Sequence, residues 1–409
     1  MTRADLKAVG PGILFAGAAI GVSHLVQSTR AGAGYGFDLL WAVLLVLLFK
    51  YPFFQFAHRY TVATGESLLE GYRRQGIWAL GLFMAVVLIS SFITTAAVTV
   101  VTAGLAGALL GLELPLWGLS AGVLLLTGGL LVLGHFHLLD RLMKVMVLVL
   151  GTLTLVAVAV AVQHGPAGDP RTTHPDLWSV TGLTFLLALM GWMPAPLDIG
   201  AWSSLWILEK ARSDAKTPSL RLALLDFNVG YVTTGILAVA FVAFGALVMF
   251  GTGTEFSASG LGFARQLVNM YTATLGGWSR WIIALVAFIT MFSTTLTVLD
   301  GYTRTLGHGL TLLGGGRRLP YGPVLGLLAA VSLGIIAWLI TSMKALVDVV
   351  TVLAFLTAPV VAGLNLRAVT MAHVPAAFRP GRGLLVLSWL GIVFLVGFSL
   401  VWVKVRWLS

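Results

Sequence analysis

The sequence predicts an all-α polytopic membrane protein of eleven transmembrane helices, two sets of five plus one, with the first and sixth helices discontinuous. Three observations carry this. Hydrophobic residues make up 58% and charged residues only 10% of the 409, with a mean hydropathy of +0.97, whereas a soluble domain carries roughly 25% charge. Nearly the whole length divides into apolar segments of the roughly 20 residues that one bilayer crossing takes. Two of those segments carry glycine, proline and polar residues in their middles, unlike ordinary lipid-facing helix.

The spans run at about 11–34, 38–62, 77–110, 116–136, 140–163, 179–207, 220–251, 274–308, 320–341, 345–369 and 383–405. Several exceed the straight-crossing length, so tilt or kinks are expected. The polar loop 164–178, with Pro166, Asp169, Pro170, His174, Pro175 and Asp176, separates a first five-helix repeat (1–163) from a second (179–369). An additional eleventh helix occupies 370–409. The first ten residues, with Arg3, Asp5 and Lys7, read as too short and too charged for a cleaved signal peptide.

The net charge of +10 raises nucleic acid as a partner, but the basic residues fall between spans and topology explains them better. With the N-terminus cytoplasmic, Arg3, Lys7, Arg59, Arg73, Arg74, Arg141, Lys144, Lys210, Arg212, Lys216, Arg221, Arg304, Arg317, Arg318, Arg367, Arg379 and Arg382 all fall inside. The other side receives Arg171, Arg265, Arg280, Lys344, Lys404 and Arg406. This positive-inside bias implies an odd number of spans and an external C-terminus. Short loops and compact ends suggest a bacterial inner membrane. The absence of cysteine excludes disulfides, thiolate metal sites and cysteine catalysis.

In the first span, apolar Ile13 to Ile20 gives way to Gly21-Val22-Ser23-His24, then to Gln27, Ser28, Thr29, Arg30, Gly32, Gly34 and Gly36. In the sixth, apolar Thr184 to Met190 meets Gly191-Trp192-Met193-Pro194-Ala195-Pro196-Leu197-Asp198 before Ile199 to Trp206. Proline removes a helix donor and glycine opens the backbone. Groups freed at such a break must be satisfied by protein, water or solute. In secondary transporters, breaks placed alike in two repeats build the substrate site near the midplane.

Gly10-Pro11-Gly12, Ala33-Gly34-Tyr35-Gly36-Phe37 with Leu40-Trp41, Val62 to Leu68, Met193-Pro194, Ser203-Ser204 and Phe292-Ser293-Thr294-Thr295 occur in one order along nearly the whole chain. In that order they resemble the Nramp family of divalent-metal transporters, and the resemblance implies the LeuT-type architecture. Counted back from Tyr35-Gly36-Phe37, the family's Asp-Pro-Gly-Asn falls on Gly21-Val22-Ser23-His24. The resemblance therefore places Gly21 where the family has its metal-binding Asp and His24 where it has its Asn. It retains a Met ligand as Met193 and puts Ala195 at a family histidine. The acids of the family's third helix are absent, leaving Thr94, Thr95, Thr99 and Thr102.

A divalent cation wants oxygen or imidazole ligands and a carboxylate to offset dehydration, so the departures favour another solute. Half-helix N-termini, with Ser23, His24 and Gln27 as donors and Arg30 and Lys50 as intramembrane cations, suit a small oxyanion. The expected function is secondary transport of an inorganic anion such as bicarbonate, coupled to Na+ or H+. The expected site comprises Gly21, Ser23, His24, Gln27, Gly191, Trp192, Met193 and Ala195, with Arg30, Lys50, Asp198 and Thr294 coupling or gating.

Plainer roles stand beside these. His24 bridges freed backbone, Met193 packs, Trp192 fills core, and Arg30 snorkels outward. Lys50 pairs with Asp226, Asp300 or Asp348, and Asp198 caps the second half-helix. One alternative function is transport of Mn2+ or Mg2+ through His24, Met193 and Asp198. Another is a receptor or enzyme on the same fold, disfavoured because no acid, base or nucleophile cluster is evident. Neither catalytic residues nor a cofactor are expected. The Gly314-Gly315-Gly316-Arg317-Arg318 turn lacks the Lys-Ser/Thr of a phosphate loop.

Overall fold

The computed structural model describes residues 11–134, 136–169, 171–213, 218–316, 319–339 and 342–407, with the backbone alone at 11, 13, 14, 136–144, 146, 147 and 213. Gly10, Arg3, Asp5, Lys7, Pro170, Lys216, Arg317 and Arg318 lie outside the described residues, as do the side chains of Arg141 and Lys144. Among the described residues the secondary structure is helical throughout, with no strand.

The first span is α1 (Pro11–Ala19), a π-helical turn Ser23–Ser28, and α2 (Thr29–Tyr35). The sequence placed its break at Gly21 to His24. The interruption centres on Ile20 and Gly21, and the helix resumes as the widened π turn. The sixth span is broken outright, as α8 (Val180–Gly191) and α9 (Ile199–Ser213) flank a non-helical linker that holds a cis Met193–Pro194 bond. Two prolines within three residues leave that linker without the donors a helix needs.

Between these lie α3 (Leu40–Thr64), α4 (Leu68–Gln75), α5 (Ile77–Leu110), α6 (Leu116–Val132) and α7 (Phe136–His164). After them come α10 (Leu220–Val248), α11 (Gly260–Leu275), α12 (Ser279–Leu313), α13 (Tyr321–Trp338), α14 (Met343–Thr370), a 3-10 turn Ala376–Phe378 and α15 (Arg382–Trp407). Among the described residues, α3, α5, α10, α12, α13, α14 and α15 are each long and apolar enough to cross a membrane. The segments Leu116–Val132, Leu148–His164 and Val180–Gly191 are shorter apolar helices.

Two helices were not expected. α4 starts at a capping box, in which Ser67 Oγ accepts from the Leu69 N–H at 3.2 Å and Glu70 accepts from the Ser67 N–H at 3.0 Å. The Ser-x-x-Glu spacing carries that signal in the sequence. α11 is amphipathic, burying Phe263, Leu267, Val268 and Tyr271 on one side. It takes residues 274 and 275 from the expected eighth span, whose helix α12 instead begins at Ser279.

α12 and α5 pack together at the centre, and 72% of the most apolar stretch of α12 is buried against 17% for the peripheral α15. The interrupted first span runs along α10, and α8 runs along α14. Both contacts are backbone against backbone. A Cβ on Gly32 would stand 2.0 Å from the Val242 carbonyl oxygen, and one on Gly191 1.8 Å from that of Thr351. Small residues allow this closeness in a membrane, where van der Waals packing holds helices together.

Candidate functional site between the two broken helices

At the first break the freed carbonyls are satisfied by neutral side chains. Ser23 Oγ lies 2.7 Å from the Ala19 carbonyl and 2.7 Å from His24 Nδ1, which is itself 3.1 Å from Ala19 O. Thr294 of α12 approaches Gly17 O and Ile20 O at 3.4 Å each. The π turn widens the ladder by one residue, and hydroxyls fill in behind it, with Ser28 on Ser23 O and Thr29 on His24 O. His24 Nε2 stands 2.9 Å from the Thr234 carbonyl of α10. A carbonyl only accepts, so that nitrogen carries the hydrogen. His24 is fully buried, and its ring ties the first span to α10.

At the second break a charge does the same work. Lys50 Nζ of α3 lies 2.8 Å from Met190 O, 2.7 Å from Gly191 O and 3.3 Å from Ala195 O. None of the acids considered as its partner in the sequence takes that role. Asp348 binds Arg30, Asp300 accepts from Arg304, Trp206 and Tyr321, and Asp226 accepts from the Gly12 N–H. Asp198, at the start of α9, lies within Coulombic reach of the ammonium.

Between the breaks is a cavity of about 20 Å³, lined among others by Ser23, Thr94, Trp192, Ala195, Trp202 and Thr294. That holds one or two waters. No charged side chain lines it. The indole N–H groups of Trp192 and Trp202 are both buried without a hydrogen-bond partner, and indole nitrogen is a donor only. A Cβ on Gly21 would meet Thr294 Cγ2 at 2.8 Å and Oγ1 at 2.9 Å. Thr294 thus fills the space that a side chain at Gly21 would use.

A second cavity of about 10 Å³ adjoins the first and shares Thr94 and Pro196 with it. Here Asp198 Oδ2 accepts from Tyr302 at 2.9 Å and from Ser90 at 3.5 Å, while Oδ1 has no partner.

A vestibule of about 1020 Å³ opens beside Tyr35, Phe185, Lys344 and Arg406. Arg30 and Asp348 line it and form a bidentate pair at 2.7 and 3.0 Å. Gln27 accepts from Arg30 at 2.7 Å and donates to Asp348 and Thr351, and the Arg30 guanidinium lies over the Phe185 ring. Arg30 therefore does not snorkel outward but is buried and tied to α14.

Of the residues chosen from sequence, Ser23, Trp192, Ala195 and Thr294 line the central cavity, and Gly21 abuts Thr294. Gly191 packs on α14, Met193 is buried outside the lining, and His24, Gln27, Arg30, Lys50 and Asp198 go to other neighbours. His24 and Asp198 do not converge, and no group of three His, Asp or Glu able to hold a metal occurs among the described residues. Trp202, Ser90 and Tyr302 were missed. Asp198 and Trp202 are four apart on one helix face, a usable signal for the tryptophan. Tyr302 is brought from α12 by tertiary packing alone.

An all-helical bundle built around two interrupted helices is the LeuT-type fold of secondary transporters. Comparison with known proteins then fixes the family. The family model for natural resistance-associated macrophage protein-like (Nramp) proteins matches residues 12–403. An uncharacterised protein of Pasteurella multocida is 38% identical over 417 residues, covering 100% of this chain and 94% of the relative. A divalent metal cation transporter of Verminephrobacter eiseniae is 27% identical over 252 residues, 59% of this chain and 56% of that protein. Among solved structures, a mutant of the Eremococcus coleocola manganese transporter superposes with a TM-score of 0.77 at 16% identity, covering 98% of this chain and 87% of the other. The chain belongs to the Nramp family of multi-pass membrane transporters.

Proposed function

We propose that this chain is a secondary transporter of a small inorganic oxyanion, bicarbonate being the best fit, working by alternating access. The observation that supports this is the central cavity. Its lining includes Trp192 and Trp202, whose buried indole N–H groups have no partner, and the hydroxyl residues Ser23, Thr94 and Thr294, but no carboxylate. N–H donors give a cation nothing, whereas a planar, singly charged acceptor takes two of them and a hydroxyl at once. A divalent metal needs hard anionic ligands to replace its water, and the space beside Gly21 is taken by Thr294. The cavity holds water but not an ion of four heavy atoms, so admission requires the breaks to part, as alternating access entails. The Arg30–Asp348 pair below the vestibule is the outer gate of that motion. A coupling ion, H+ or Na+, binds at the free Oδ1 of Asp198.

In this reading residues 1–163 and 179–369 are the two repeats, joined by the external loop 164–178, and 370–409 adds an eleventh span. The protein sits in a bacterial plasma membrane with its N-terminus cytoplasmic and its C-terminus outside.

The relatives named as divalent metal cation transporters favour a second reading, a metal carried through Asp198. Proteoliposomes separate the two. A bicarbonate gradient should alkalinise the lumen, and Trp192→Phe with Trp202→Phe should slow this at least tenfold. Saturable Mn2+ uptake that ignores the tryptophans and is lost in Asp198→Asn would replace the anion with a metal.

A further inference from the structure

Met190 and Gly191 close α8, and Ala195 stands in the linker beyond the proline. The last carbonyls of a helix lose their i+4 donors, and Met190 O keeps only turn bonds from the Trp192 and Met193 N–H groups. In a bilayer interior water cannot take them, and each such group left bare costs several kcal/mol. The end of a helix also carries partial negative charge, which favours a cation. Three carbonyl oxygens at 2.7, 2.8 and 3.3 Å surround the one ammonium, which has three hydrogens to give. The lysine is wholly buried. In shape and electrostatics this is a carbonyl cradle around a monovalent cation, and the cation is tethered to α3 by a four-carbon stem.

We propose that the Met190–Gly191–Ala195 cradle is a monovalent-cation site that this chain fills with the Lys50 ammonium instead of a free ion. The broken helix is thereby held in its cation-bound geometry whatever the ionic composition outside. The cradle shares Ala195 with the solute cavity, but its test reads stability in different salts, so the proposal stands or falls independently of what is transported. Cutting the side chain back to alanine leaves the cradle and the volume of the stem, which is room for Na+ or a small alkylammonium ion. Lys50→Met fills that volume with an apolar chain and admits neither.

The test is thermal unfolding of the full-length protein in detergent, with NaCl, ethylammonium chloride or N-methyl-D-glucamine chloride at equal ionic strength. Lys50→Ala should melt well below wild type and be raised, with saturation, by Na+ or ethylammonium but not by the bulky cation. Wild type and Lys50→Met should respond to all three salts alike. If Lys50→Ala does not survive extraction, the yield of monodisperse protein from membranes extracted in each salt is the readout, with the same ordering expected. Equal behaviour of Lys50→Ala in all three salts, or equal rescue of Lys50→Met, overturns the proposal.

Discussion

The two interrupted helices face one physical problem and solve it differently. Each frees main-chain carbonyls inside a bilayer, where they must find donors. At the first break the donors are neutral and mostly local, with Ser23, Ser28 and Thr29 folding back on their own turn and Thr294 arriving from α12. At the second break Lys50 comes from a helix 140 residues away and brings a full charge. The severity of the break explains the difference. A π turn keeps most of its ladder and leaves isolated acceptors that hydroxyls can reach. The linker from Trp192 to Asp198 ends α8 altogether, and clustered carbonyls at a helix C-terminus form a negative pole that a cation meets best.

Substitutions at the two breaks test this contrast, and one outside the bilayer calibrates it. The largest effect is expected for Lys50→Met, which takes the ammonium away from three carbonyls at once. Removing one partner from a buried charged cluster costs about 3–5 kcal/mol, read as a large fall in melting temperature and loss of transport. His24→Leu should be milder, about 0.5–1.5 kcal/mol for the hydrogen bond lost to the Thr234 carbonyl, which keeps its own helix donor, and Ser23→Ala milder again. If the His24 and Lys50 variants melt alike, the neutral-versus-charged distinction fails.

Gly21→Ala pushes a methyl group into Thr294 and should cost about 1–3 kcal/mol by overpacking. Adding Thr294→Ala should recover part of that loss, a coupling that a double-mutant cycle detects. Additive losses would mean the two residues do not compete for one space.

The smallest effect lies outside the bilayer. Arg74 bonds Glu66 at 2.6 and 2.8 Å and holds its carboxyl below the usual carboxylate range. A depressed carboxyl stabilises the fold above its unfolded pKa, and the gain is lost as pH falls through the folded value. With Arg74 about half exposed, screening limits the pair to about 0.2–1 kcal/mol. Arg74→Ala should lower the melting temperature slightly at neutral pH and not at all once the pH is well below the carboxylate range. An undiminished effect in acid would remove Glu66 as the cause.

Much of the fold was legible because its signals are local. Apolar runs mark the spans, and Gly191, Pro194 and Pro196 mark the sixth-span break within a window of a few residues. The first break was placed slightly late because the polar residues beginning at Ser23 mark the repair, whereas the interruption lies just ahead at Ile20 and Gly21. α11 escaped notice since its apolar residues recur at helical spacing among polar ones and form no unbroken run. The site was harder to read. As plainer roles, sequence offers Arg30 only snorkelling and Lys50 only candidate acids, because their partners, Asp348 and the α8 carbonyls, lie 318 and 140 residues away. His24 sat at a family ligand position and turned instead to Thr234 of α10.

By itself the sequence determined that the chain crosses a membrane repeatedly and which two helices are interrupted, because hydropathy and helix-breaking chemistry belong to short stretches of chain. Only the tertiary structure decided which group satisfies each freed carbonyl and which donors are left facing the central cavity. A bare carbonyl takes whatever donor packing brings within about 3 Å, and no spacing along the chain encodes that meeting.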